Sequence, residues 1–138
     1  MLSAMQFVFE DSEVARLELS QGAAHVLTVH FSAARVLEGT GKSGSGEGAW
    51  MRLLLICKLS AQINSGLEAS GRLEGGCVRV DGAQSLRTLP VPYEIRQPLK
   101  SELVLELEFA RGEHLRLHCL SLEIRPVAAQ CATESFQC

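Results

Sequence analysis

The sequence is poor in the residues that proteins use to bind nucleic acids. Its 138 residues include five phenylalanines, one tryptophan and one tyrosine, and the formal net charge is −3. The lysines and arginines are scattered singly along the chain rather than clustered. Binding to a polyanion requires concentrated positive charge, and binding to single strands also requires aromatic surfaces for stacking. We therefore expect no nucleic-acid partner.

Cysteine motifs and long apolar runs are also missing. The five cysteines are irregularly spaced and include no CxxC pair, so neither a disulfide framework nor a zinc ribbon is predicted. The N-terminal segment has no basic region, and Gln6 interrupts its short apolar stretch, which argues against a signal peptide. The longest apolar run, LLLIC at 53–57, is too short to cross a bilayer. We expect a cytoplasmic protein with reduced thiols and no membrane partner.

What the sequence does contain is alternation of apolar and polar residues. This period of two predicts half-buried antiparallel strands. We predict one all-β domain over residues 1–138, a mainly antiparallel barrel or closed sandwich of about eight strands. Prolines at 90, 92 and 98 place the 91–95 segment at an edge or in a connection. The segments that show the pattern are 5–9, 15–19, 25–33, 50–59, 67–73, 77–80, 91–95, 102–110 and 112–124.

Two segments are expected to lie outside the sheet. Residues 39–48 are predicted to form a flexible Gly/Ser loop. The GTGKS sequence within this loop resembles the end of a phosphate-binding motif, but that motif requires glycine where Val36 stands. It also requires a helix after Ser43, where GSGEG follows. The C-terminal tail, 126–138, could form a short helix after Pro126.

The segment WMRLLLICKL at 50–59 is apolar on both faces. One face carries alternate apolar residues from Met51 to Leu59, and the other carries Trp50, Leu54 and Ile56. A strand of this kind must be covered on both sides, and leaving Leu54 and Ile56 in water would forgo about 1.5–3 kcal/mol for each side chain. Because the sequence predicts so little helix, we expect a second copy of the chain to cover Trp50, Leu54 and Ile56 in a homodimer.

The hairpin formed by 102–110 and 112–124 predicts a specific register. If Phe109 faces Leu115 across a three-residue loop, 111–113, then Glu106 faces His118 on the polar side. Such a cross-strand pair stabilises a hairpin by a few tenths to about 1 kcal/mol. The register therefore gives His118 an ordinary structural partner.

The four histidines are the main concentration of side chains that could carry out chemistry. His114 and His118 lie roughly 13 Å apart along a strand, too far to share one ion. A ligand or metal site would need His118 together with His30 and Glu106, which makes these three residues the candidates.

The alternation breaks near His118–Cys119, where the apolar residues resume out of step at Leu120 and Leu122. Adjacent residues of a strand point to opposite faces, so His118 and Cys119 are not expected to form a catalytic pair. The break instead predicts a β-bulge at a corner of the sheet.

These observations favour a non-catalytic binding or assembly module without a cofactor. One alternative is a small barrel that carries an apolar small molecule in its interior, although packed interiors are usual in small barrels. The other is a metal-dependent enzyme that uses the histidine and glutamate candidates. The expected partner is a second copy of the chain, with another protein or a small apolar ligand as further possibilities.

Overall fold

The computed structural model describes residues 5–20, 25–38, 48–61, 63, 67–80, 85–98 and 101–127. The predicted loop over 39–48 and tail over 126–138 lie outside these ranges, apart from Gly48, Pro126 and Val127. Nowhere in the described ranges is there a helix long and apolar enough to cross a membrane. The described strands are β1 (Met5–Ser20), β2 (Val26–Glu38), β3 (Gly48–Leu59), β4 (Gly71–Val80), β5 (Ser85–Leu86), β6 (Thr88–Val91), β7 (Tyr93–Arg96), β8 (Leu103–Phe109) and β9 (His114–Pro126).

Six of the strands close into a ring, in the order β1, β2, β3, β9, β8 and β4. The ring closes where β4 pairs with β1, at Glu13 opposite Arg72 and Val14 opposite Gly71. The pairings are antiparallel, which confirms the predicted all-β fold. Short strands attach to this ring: β5 pairs with β4, β6 with β1 and β7 with β9. As the prolines predict, the 91–95 segment lies at the margin of the sheet.

The core consists of the side chains that alternation directs to the inside of the ring. The ring of Phe7 packs edge-on against Phe9 and Phe31, with centroids 4.8 and 5.0 Å away. Each fully buried side chain of this size contributes about 1.5–3 kcal/mol relative to exposure. The largest fully buried side chains are Phe7, Phe9, Phe109, Leu27, Leu53, Leu55, Leu73, Leu89, Leu103, Leu105, Leu107 and Leu117.

A bulge joins the predicted strands 5–9 and 15–19 into the single strand β1. Asp11 adopts a positive φ of 73°, a conformation that Asp tolerates better than most residues. The buried Ser12 hydroxyl donates to the Val8 carbonyl at 2.7 Å and accepts from the Arg35 N–H at 2.8 Å. Ser12 thus replaces hydrogen bonds that the ladder loses at the bulge. Residues before the bulge pair with β6, and Glu13 and the next residue pair with β4.

The predicted bulge in β9 is present, but it lies just beyond His118–Cys119. Cys119 pairs with Leu59 and Ser121 pairs with Lys58, so Leu120 is the extra residue. Cys119 is only 1% exposed and faces the core, whereas Leu120 is 42% exposed. In the core, the Cys119 thiol donates a hydrogen bond to the Leu117 carbonyl at 3.7 Å. The neighbouring Cys119 thiol and burial raise the pKa of Cys57 well above its usual value.

The predicted register of the β8–β9 hairpin is wrong by two residues. Glu106 lies opposite Arg116, and His118 lies opposite Val104. The hairpin turns through Ala110, Arg111 and Gly112, because the Phe109 N–H donates to the Glu113 carbonyl at 2.8 Å. Gly112 takes a φ of 113°, which glycine adopts without a steric penalty. A shift of two residues leaves every side chain on its own face, so alternation alone does not reveal it.

Candidate functional site

The outer side of β3 carries an uneven row of apolar side chains. The inward positions Leu53, Leu55 and Cys57 are fully buried. On the opposite side, Trp50 is 58% exposed, and Leu54 and Ile56 are half-buried. We call Trp50, Arg52, Leu54 and Ile56 the β3 outer face.

Neighbouring strands place polar residues beside this row. Leu54 lies between His30 of β2 and Arg125 of β9. Ile56 lies between Thr28 and Glu123 in the same way. These neighbours flank the two aliphatic side chains, whereas Trp50, at the far end of the row, remains largely in solvent. The candidates Trp50, Leu54 and Ile56 therefore share one surface.

A groove lies next to the β3 outer face, where bulges in two adjacent strands coincide. In β1 the register shifts at Ala15, and in β2 it shifts between Phe31 and Ala34. Bulges disrupt the ladder and bend the strand. The resulting cavity has a volume of about 290 Å³. We call it the Arg52 groove; its walls include Arg16, His30, Ser32, Arg52, Leu54 and Val127.

The Arg52 groove has an excess of positive charge. Arg16 and Arg52 both line it, and no carboxylate is among its described lining residues. Glu18, just outside the groove, lies 2.8 Å from Nε2 of His30 and 3.7 Å from Arg16. Within the described ranges, Arg52 forms no ion pair. The two guanidinium groups and the Glu18 carboxylate together carry one net positive charge.

The ring separates the metal candidates His30, Glu106 and His118. His30 points outward from β2, whereas Glu106 lies on β8, with β3 and β9 between the two strands. His118 points outward from β9 opposite Val104 rather than Glu106. In the part of the chain that the structure describes, no group of three or more His, Cys, Asp or Glu residues could hold a metal ion. The structure therefore does not bring these three candidates together.

Glu106 instead connects β8 to both of its neighbours. Its side chain is 14% exposed, with Arg79 of β4 and Arg116 of β9 each at 3.5 Å. The thiol of Cys77 lies 3.8 Å from the same carboxylate. Glu106 also lines a second cavity, of about 260 Å³, but its oxygens already have partners within the chain. These contacts assign it a structural role.

The structure unites two residues that the sequence proposed for different roles. His30 was a ligand candidate and Leu54 an interface candidate, yet they lie directly opposite each other and line the same groove. Sequence reasoning missed Arg16 and Arg52, because single arginines at exposed strand positions are common. The available signal was the position of Arg52 between Trp50 and Leu54 on one face of the strand.

Comparison with known proteins supplies no family for this chain: no protein-family model matches it, and no curated protein or solved structure shows significant similarity.

Proposed function

We propose that the protein is a non-catalytic binding or assembly module that acts through the β3 outer face. The observation that carries the proposal is the row formed by exposed Trp50 and the half-buried Leu54 and Ile56. Tryptophan is enriched among the residues that dominate interface energetics, because it buries a large area at little entropic cost. An exposed tryptophan beside aliphatic side chains is typical of an interaction surface.

The proposed partner is a second copy of the chain. In a two-fold symmetric dimer each copy contributes the same patch, so the Trp50 of one copy can cover the Leu54 and Ile56 of the other. The proposal includes a cytoplasmic location. In its support, the described cysteines Cys57, Cys77 and Cys119 are all free thiols, as expected in a reducing compartment.

The alternatives have weaker support. Carriage of an apolar ligand would need space inside the ring, but the inward side chains, including three phenylalanines, pack on one another there. A metal-dependent reaction would need His30, Glu106 and His118 to meet, and they lie on separate parts of the outer surface.

Sedimentation velocity over about 1–100 µM protein tests the proposal. We expect the wild type to form dimers and Trp50→Ser to raise the dimer dissociation constant at least about tenfold, which corresponds to about 1.4 kcal/mol. Leu120→Ser is the matched control, because Leu120 is the other large apolar side chain exposed within the described ranges. A monomeric wild type, or equal effects of the two substitutions, would contradict the proposal.

A further inference from the structure

We infer that the Arg52 groove is a binding site for a small organic carboxylate. The groove adjoins the proposed self-association surface and shares Arg52 and Leu54 with it, but its other contacts come from β1, β2 and Val127. The inference rests on the shape of the groove, its charge and the position of its apolar wall.

The shape indicates a small ligand. At about 290 Å³, the groove lies just below the range of roughly 300–1,000 Å³ that is usual for ligand pockets. Its outline is set by the backbone, since it lies where the bulges of β1 and β2 coincide. Between the pairs Phe31–Leu53 and Ala34–Met51, β2 has two residues, Ser32 and Ala33, whereas β3 has one, Arg52. Arg52 is therefore held beside the irregular part of the ladder.

The charge selects an anion with one negative charge. Arg52 has no ion-pair partner among the described residues, and Arg16 shares the Glu18 carboxylate with His30. A guanidinium binds a carboxylate through two parallel N–H donors, which favours Arg52 as the main contact. A phosphate dianion would bring a second negative charge close to Glu18, whose carboxylate already faces Arg16 and His30.

The apolar wall accommodates the carbon chain of the ligand. Leu54 and Val127 are both half-buried and line the groove. Val127 is tied to β3 by its N–H, which donates to the carbonyl of Arg52 at 3.1 Å. The carboxylate would lie against Arg52 and Arg16, and the alkyl part would lie against Leu54 and Val127. His30 also lines the groove, with its Nε2 2.8 Å from Oε1 of Glu18.

Titration of the ¹⁵N-labelled chain with hexanoate, followed by amide chemical shifts, tests this inference. We expect saturable shifts at Arg16, Ser32, Arg52 and Leu54, with a dissociation constant no weaker than about 10 mM. Hexanamide has the same carbon skeleton without the charge and should not bind. Inorganic phosphate should bind more weakly than hexanoate.

Variants assign the effect to named residues. Arg52→Gln should weaken hexanoate binding at least about tenfold, and Arg16→Gln should weaken it less. Arg125→Gln is the matched control, because Arg125 also flanks Leu54 but has Glu123 at 3.9 Å and does not line the groove. Trp50→Ser should bind hexanoate at least as tightly as the wild type, because Trp50 does not line the groove and its loss leaves Leu54 of the other copy uncovered.

The inference is overturned if hexanoate produces no saturable shifts, or if hexanamide or phosphate binds as tightly as hexanoate. It is also overturned if Arg125→Gln matches Arg52→Gln, or if Trp50→Ser abolishes binding. Failure of the dimer proposal has a different signature, a monomeric wild type in sedimentation, and leaves these results unaffected.

Discussion

Two adjacent glycines in β4 allow a matched test of how closely the ring is packed. A Cβ atom added to Gly76 would lie 2.8 Å from the backbone oxygen of Glu106 and 2.9 Å from Cδ1 of Phe9. A Cβ added to Gly75 would meet only the carboxylate of Glu108, at 3.6 Å, an ordinary van der Waals distance. We therefore expect Gly76→Ala to destabilise the protein and Gly75→Ala to be tolerated.

The size of the difference follows from what would have to move. The Glu106 oxygen belongs to the β4–β8 pairing, and Phe9, 1% exposed, lies in the core, so neither can give way freely. Overpacking of this kind costs about 1–3 kcal/mol. Replacing glycine with alanine in a strand also gains about 0.5–1 kcal/mol of chain entropy, and this gain is common to both variants. The difference in unfolding free energy between them therefore isolates the clash, at about 1–3 kcal/mol.

Urea unfolding measures this difference, with circular dichroism and the fluorescence of Trp50, the sole tryptophan, as independent probes. Gly76→Ala should show a lower midpoint with an unchanged slope, and Gly75→Ala should match or exceed the wild type. If the two variants agreed within about 0.5 kcal/mol, the close approach of Gly76 to Phe9 and Glu106 would be refuted.

Two further predictions concern ionisable groups that are partly or fully buried. Glu106→Gln removes the counter-ion of two arginines, so thermal unfolding should show a loss of about 1 kcal/mol in stability, and a smaller loss in about 1 M salt. Glu108→Gln, at an exposed position, is the control and should cost less than about 0.5 kcal/mol. Equal losses for the two variants would contradict the structural role of Glu106. Cys57 has a raised pKa, so above pH 9.0 the unfolded chain releases a proton that the folded state retains. The contribution of Cys57 to stability should therefore be constant below pH 9.0 and should fall as the pH rises above it. Urea unfolding at about pH 8 and pH 10 should show a smaller fall for Cys57→Ala than for the wild type, and an equal fall would assign the effect to other groups.

The sequence predicts the fold class well because alternation depends on burial, which is common to all the ring strands. It predicts strand boundaries less well where a bulge interrupts them. The polar run Glu10–Glu13 looks like a turn in the sequence, yet it lies within β1 because the Ser12 hydroxyl supplies two hydrogen bonds at the bulge. In β9 the reverse holds: the broken phase does indicate a bulge, but only the pairing of Cys119 with Leu59 and of Ser121 with Lys58 identifies Leu120 as the extra residue.

The candidate site was harder to predict, because it depends on register between strands rather than on alternation within one. In the β8–β9 hairpin a shift of two residues exchanges the partner of Glu106 from His118 to Arg116 while every face stays the same. Glu106, a candidate metal or ligand contact in the sequence, therefore forms a structural ion pair with Arg116. Alternation is equally consistent with either register, and Gly112 lies in the loop of both; the hydrogen bond from the Phe109 N–H to the Glu113 carbonyl distinguishes them.

The same reasoning explains why His30 and Leu54 were assigned to separate sites. Each was judged correctly as an outward-facing residue, but the long connection between β2 and β3 leaves their relative register undetermined by the sequence. Once the register places them opposite each other, Arg52 falls beside the β2 bulge, where no described carboxylate forms an ion pair with it. A surface that appears in the sequence as an apolar interface then acquires a cationic groove at its margin. Binding at this surface therefore involves both apolar contact and charge, and the Trp50 and Arg52 variants separate the two contributions.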